Sequence, residues 1–201
     1  MPGFTPFTAP AFVLDEDDVD TDIIFPARFL LHTERKGLGR FAFHDRPALL
    51  EAYEAAGKPP ILLAGANFGC GSSREHAVWS LDGMGLTALF APSFGEIFRG
   101  NCANNGMVAG VMAADTLAAL QALAGKGANA GHALSIDLAA QTVTCAGQQF
   151  AFTVPDSDRE MLLAGWNNTT RILALHGQDI SAFEKAQRSA APWLWTEETE
   201  A

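Results

Sequence analysis

The chain has 201 residues, 48% of them hydrophobic, which suits one domain with a sizeable core. Its formal charge of -10, from 13 basic and 23 acidic residues, argues against nucleic acid or an anionic membrane as the main partner. No apolar run approaches the roughly 18 residues of a membrane span, and Met1–Thr5 lacks the basic-then-apolar pattern of a secretory signal, so a cytoplasmic protein is expected.

The first 14 residues read as a lead-in and a strand ending in Ala11-Phe12-Val13-Leu14. Residues 15–22 then hold six acids in eight positions. A calcium loop is one reading, but its glycine and distal glutamate are missing. The other reading is a polar turn whose Asp and Thr side chains bond to backbone. Ile23-Ile24-Phe25-Pro26 is apolar and stopped by proline, and Ala27–Gly39 reads as a loop or short helix. Pro47–Gly57 is a helix opened by proline and closed by glycine. Ile61–Ala64 is a strand, and a helix is expected over Ala77–Leu81. Further strands are expected at Leu86–Ala91 and Met107–Val111, with a helical piece over Gly95–Arg99 and a turn-rich stretch over Asn101–Gly106. Asp115–Ala124 reads as a helix and residues 125–131 as a connector. Three alternating segments, Leu134–Leu138, Thr142–Cys145 and Gln149–Val154, read as an antiparallel meander. Helices are expected over Asp158–Gly165 and Asp179–Ala190, followed by a frayed acidic tail. The whole implies a single α/β domain over residues 1–190, with mixed sheet topology, and a C-terminal tail over 191–201.

The stretch richest in chemistry is Ala66–His76, a glycine-rich turn between a strand and a helix. Gly69 and Gly71 permit backbone conformations closed to other residues and let a ligand come close. Ser72 and Ser73 are placed to cap the following helix. The N–H groups and dipole at its start suit an anion, and the Arg74 fork matches a carboxylate. The turn fails the nucleophile-elbow and phosphate-loop patterns, although His76 stands one helical turn from Ser72. Cys70 at a helix start has either a lowered thiol pKa or a simple packing role. Cys70, Cys102 and Cys145 show no C-x-x-C spacing and leave an odd count, so neither a disulfide framework nor a metal site is indicated.

The run Asn67–Ala77 closely resembles the signature of the aconitase-type swivelling domain, in the branch formed by the small subunits of 3-isopropylmalate dehydratase. Asp18–Leu30 is similar to that family's N-terminal motif. Pro92–Phe98, followed by Asn101-Cys102 and Asn104-Asn105-Gly106, is similar to its third block. The resemblance implies a layered β/β/α domain with parallel and antiparallel strands. It further implies a hydro-lyase that moves a hydroxyl between adjacent carbons by removing and re-adding water. A [4Fe-4S] cluster on a separate large subunit is the Lewis acid for the leaving oxygen, and no cofactor or metal is expected on this chain.

By motif position Ser72 is the implied base, with Ser73 and Arg74 binding a carboxylate of a small hydroxy-diacid. Gly71, Glu75 and His76, with Asp20, Thr21 and Asp22, form the implied supporting shell. The family sets substrate choice at the loop holding Leu31, where an apolar residue favours an isopropyl-like group over a further carboxylate. Core packing is the other reading of Leu31. Arg28 and Arg40 are further candidate carboxylate ligands. Departures occur at Val78, in the short 43–59 piece and over Gly165–Leu173. They leave room for a dimethylmalate- or maleate-type substrate, or for a non-catalytic carboxylate-binding module.

Overall fold

Pro10 divides the N-terminal strand into two pieces that enter different sheets, since proline offers no N–H to a ladder. β1 (Phe7–Ala9) pairs antiparallel with β6 (Leu134–Asp137), and β2 (Ala11–Leu14) pairs parallel with β3 (Ile61–Ala64). The parallel sheet continues in chain order through β4 (Ala88–Ala91) and β5 (Val108–Val111). β7 (Thr142–Cys145) and β8 (Gln148–Ala151) complete the antiparallel sheet as a meander. The fold is therefore two four-stranded sheets, one parallel and one antiparallel, in keeping with the mix of parallel and antiparallel strands expected from the sequence. This computed structural model describes residues 1–32, 34–125 and 131–195. Most of the 125–131 connector and the acidic tail lie outside them.

Alternation along the parallel strands splits the core in two. Leu62, Ala64, Leu89 and Ala91 face a helical layer, while Ile61, Leu63, Ala88 and Phe90 face the antiparallel sheet. The helical layer comprises α1 (Thr21–Ile24), α2 (Pro47–Ala55), α3 (Glu75–Met84) and α4 (Glu96–Asn104). α5 (Ala114–Ala124) lies with the second core through Leu117 and Leu120. The result is a layered β/β/α domain. Strands buried on both faces read as continuous apolar runs, which is why β3 and β4 stood out in the sequence. Each fully buried Leu or Phe there contributes roughly 1.5–3 kcal/mol.

Three expectations change. The Asn101–Asn104 stretch is not a turn but the last part of α4, whose C-terminal cap is Asn105. Helix α3 begins at Glu75 and its capping position is Arg74, so neither Ser72 nor Ser73 caps it. After α6 (Asp156–Ala164), the divergent Asn168–Leu173 segment opens α7 (Asn168–Ala190). That helix is capped by a reciprocal Asn167–Thr170 pair and has no buried residue, and its apolar side chains, Ile172, Leu175 and Phe183 among them, are exposed. Among the described residues no helix is long and apolar enough to cross a membrane.

α2 is held over the helix-side core by Tyr53, which is 4% exposed and donates to the Pro59 carbonyl at 3.1 Å. Burial pushes its hydroxyl up to about 12. Tyr53 is the chain's only tyrosine, so an ultraviolet titration reads it directly. Its ionisation should have a midpoint near 12, whereas an unfolded tyrosine ionises near 10. Above about pH 10 the unfolded chain ionises first, so stability should fall by on the order of 2–3 kcal/mol as pH rises through that window. Tyr53→Phe should remove the tyrosine's share of that slope and leave the share of the buried thiols, and an ordinary midpoint in the folded protein would refute the burial argument.

Candidate functional site

Three loops meet beyond the carboxyl ends of β2, β3 and β4, the place where parallel sheets receive ligands. They are residues 15–20, 65–74 and 92–95, and backbone bonds knit them together. Gly69 N–H donates to Val19 carbonyl at 2.8 Å, Phe68 N–H to Ser93 carbonyl at 3.1 Å, and Gly95 N–H to Phe68 carbonyl at 2.9 Å. The acid-rich loop is the polar turn, with its side chains turned to partners. Asp17 accepts from Ala66 N–H at 2.6 Å, Asp18 from Asn67 Nδ2 at 2.7 Å, and Asp20 from Ile23 N–H at 2.7 Å.

Thr21, 1% exposed, clasps the glycine-rich turn twice. Its N–H donates to Cys70 carbonyl at 2.9 Å and its hydroxyl to Ser72 carbonyl at 3.0 Å. Gly71 takes φ +89° directly above this clasp, and Gly69 takes φ +72° against the Phe98 ring, where a Cβ would come within 2.2 Å. Both conformations favour glycine, as their place in the turn suggested, and at Gly69 the Phe98 ring leaves no room for a side chain.

The clasp leaves Ser72 and Ser73 exposed. Ser72 borders a cavity of about 180 Å³ between Gly69 and Gly71 on one side and Gly95–Phe98 on the other. The starts of α3 and α4 both lie here, and neither has a side-chain cap. Among the described residues nothing accepts from the Glu75 or His76 N–H groups. Free N–H groups and two helix dipoles favour a carboxylate.

Arg74 has its side chain largely covered, 16% exposed, and is paired with Asp22, which also accepts from Ala27 N–H at 3.2 Å. Glu75 accepts from Asn105 Nδ2 at 2.7 Å. His76 lies between the rings of Phe25 and Trp79, with centroids 5.6 and 5.0 Å away, and its Nε2 is 3.2 Å from the His32 carbonyl. That contact brings the loop of Leu31 to the start of α3. Leu31 is 91% exposed, so the core-packing reading of it is wrong.

The two remaining arginines are placed differently. Arg28 spends its fork on Asp45, at 2.8 and 2.5 Å, and lies over the Phe29 ring. Its hydrogen bonds hold the Asp45 carboxyl below the ordinary range and raise Arg28 itself. Arg40 lines a groove with Gly83, Met84 and Lys58, at the far end of α3 from Ser72. Chain spacing carried no information on that separation. Asn105, quoted only as part of a motif, proves to touch the site through Glu75.

Cys70 does not have the lowered pKa its sequence position allowed. Partial burial pushes the thiol up, and Asp20 and Asp18 push it further. Cys102 lies in the helix-side core and Cys145 in the sheet-side core, both pushed upward by burial. The three thiols are thus spread over different layers and do not fit an iron–sulfur cluster.

A β/β/α domain with an open corner at its strand ends belongs to a known architectural class: residues 12–113 match the family model "Aconitase C-terminal domain", and residues 122–156 match "LeuD_N". Two curated relatives bear the name 3-isopropylmalate dehydratase small subunit. That of Neisseria meningitidis is 39% identical over 97% of this chain and 99% of its own length. That of Teredinibacter turnerae is 37% identical over 97% and 98%. A crystal structure of 3-isopropylmalate dehydratase from Methanocaldococcus jannaschii superposes with a TM-score of 0.65 at 26% identity, covering 90% of this chain and 99% of that one. The chain belongs to the family of 3-isopropylmalate dehydratase small subunits.

Near pH 8 Cys70 should react with iodoacetamide several-fold more slowly in the folded protein than after unfolding, and its rate should keep climbing past the pH where a free thiol levels off. Peptide mapping distinguishes it from Cys102 and Cys145. Faster alkylation in the folded state would mean that the helix start, not the acids, governs this thiol.

Proposed function

We propose that this chain is the small subunit of a heteromeric hydro-lyase that interconverts 2-isopropylmalate and 3-isopropylmalate in leucine biosynthesis, working in the cytoplasm. The observation that carries this is the exposed Ser72 hydroxyl, fixed by the Thr21 clasp on a turn of free N–H groups beside Arg74. Family membership over nearly the whole chain agrees with it.

The reaction needs a proton removed from a carbon adjacent to a carboxylate. Ser72 takes that proton. A serine is a poor base at its ordinary pKa, so its oxyanion must be stabilised where it forms. The unoccupied N–H groups of the turn and the dipoles of α3 and α4 supply that stabilisation. Arg74 binds a substrate carboxylate with the guanidinium N–H groups that Asp22 leaves free, and Asp22 sets the fork's orientation. Ser73, exposed and freed from capping, donates to the same carboxylate. Leu31 faces the isopropyl group. Arg28 joins the diacid only by exchanging Asp45, and Arg40 has no part in it. The [4Fe-4S] cluster belongs to the large subunit, because the cysteines of this chain do not converge.

Two outcomes test the reading in the complex with the large subunit. Ser72→Ala should lower kcat by about 10²–10⁴-fold with little change in KM. Undiminished turnover would leave a carboxylate-binding module in place of a catalytic subunit.

Leu31→Arg should raise KM for isopropylmalate by about 10-fold or more and improve turnover of a malate carrying an additional carboxylate. If dimethylmalate or maleate-type diacids are turned over faster than isopropylmalate by the parent complex, the substrate belongs to that neighbouring class.

A further inference from the structure

We propose that Asn105 is a positioning residue for the corner: it fastens the uncapped start of α3 through Glu75 and so holds Arg74 in place while the helix N–H groups stay free. This rests on the reading of Ser72–Arg74 given above.

A side-chain cap is worth about 1 kcal/mol to a helix, and α3 has none. A cap on this helix would also take up a donor that the corner needs. The first turn is instead held from outside. Glu75, its first residue, reaches across to Asn105 at the end of α4, with Oε1 accepting from Nδ2 at 2.7 Å. The negative side chain suits the positive end of the helix as well.

The amide of Asn105 is saturated. Nδ2 also donates to the Asn101 carbonyl at 2.9 Å, and Oδ1 accepts from Trp79 Nε1 at 3.0 Å and from Arg35 at 3.1 Å. Trp79 is one turn along α3 and packs on His76. Arg35 reaches Asp82, further along the same helix, at 3.0 Å. Two donors face two acceptors, and the oxygen faces two donors. Only a carboxamide satisfies this set. An aspartate would keep Arg35 and Trp79 but turn a second carboxylate toward Glu75.

That asymmetry supplies the test. Asn105→Asp breaks the Glu75 link together with the Nδ2 bond to the Asn101 carbonyl, and Glu75→Gln in the same chain restores the Glu75 link alone, because the new amide donates to the new carboxylate with the net charge unchanged. In the complex with the large subunit, Asn105→Asp should raise KM for isopropylmalate about tenfold and leave kcat within about threefold. The double variant Asn105→Asp/Glu75→Gln should return KM to within about threefold of the parent. In the chain alone, the Ala77 amide, which donates to Arg74 carbonyl at 3.2 Å, should exchange about tenfold faster in Asn105→Asp and recover in the double variant. Unchanged exchange at Ala77 overturns the proposal, as does faster exchange with an unmoved KM, which would mark a purely structural residue. Failure of the double variant to restore either quantity overturns it too. A parent complex inactive on isopropylmalate overturns the proposed function instead, and the exchange pattern then decides the role of Asn105 by itself.

Discussion

The hydrogen bond from the buried Thr21 hydroxyl to the Ser72 carbonyl is the contact on which the corner turns. It fixes the backbone of a residue whose own side chain faces solvent. With the Thr21 N–H held by the Cys70 carbonyl, the turn has no freedom to slide along the acid-rich loop. Gly71 then has to bend back at φ +89°, and the next three residues follow in fixed directions. The ordering cost of this segment is met when the chain folds, so a ligand does not meet it again on binding. Removing the threonine side chain would leave the Ser72 carbonyl without its donor, and the serine's position would loosen before the fold did.

A rigid turn and an uncapped helix belong together. Site geometry asks for donors without partners, which local stability disfavours. The conflict is resolved by support placed one layer back. Phe98 fills the space left by the missing Cβ of Gly69, and Glu75 and Asn105 join the starts and ends of neighbouring helices. His76 illustrates the same division. Sandwiched by Phe25 and Trp79 and bonded to the His32 carbonyl, it stiffens the join between the Leu31 loop and α3 and has no partnership with the serine hydroxyl. Spacing alone put His76 within a helical turn of Ser72; the helix start at Glu75 is what separates their roles.

How much could be read in the sequence followed from where each signal arises. Buried parallel strands and an alternating meander write themselves into local hydrophobicity, so both sheets were legible as strands. Their division into two sheets hinges on Pro10 and on long-range pairing, which no local window contains. The helix over Asn101–Asn104 was hidden because turn-forming residues dominate it, and tertiary packing of Phe98, Cys102 and Ala103 overrides their propensity. α7 was read only over Asp179–Ala190, because Gly177 and the Asn-Thr-Thr start at 168–170 lower the helix propensity of its first half. At the site, motifs supplied the residues but not their partners. The capture of Arg28 by Asp45, the distance of Arg40 and the free state of the two serines are all facts of the folded chain.

Charge completes the argument about why this corner is half a site. The chain carries -10, and its acids crowd the loop that frames the turn. A diacid brings two more negative charges. Against these the corner offers one arginine, already sharing its fork with Asp22, and the ends of two helices, each worth roughly half an elementary charge. The acids are quiet only because each named one is committed, Asp17 and Asp20 to backbone N–H groups, Asp18 to Asn67 and Asp22 to Arg74. The balance of positive charge has to arrive with the surface that closes over Ser72. On the proposed reading that surface is the large subunit, and the acidity of this chain then works twice. It repels a free diacid from the open corner, and it draws in a partner whose facing surface is positive.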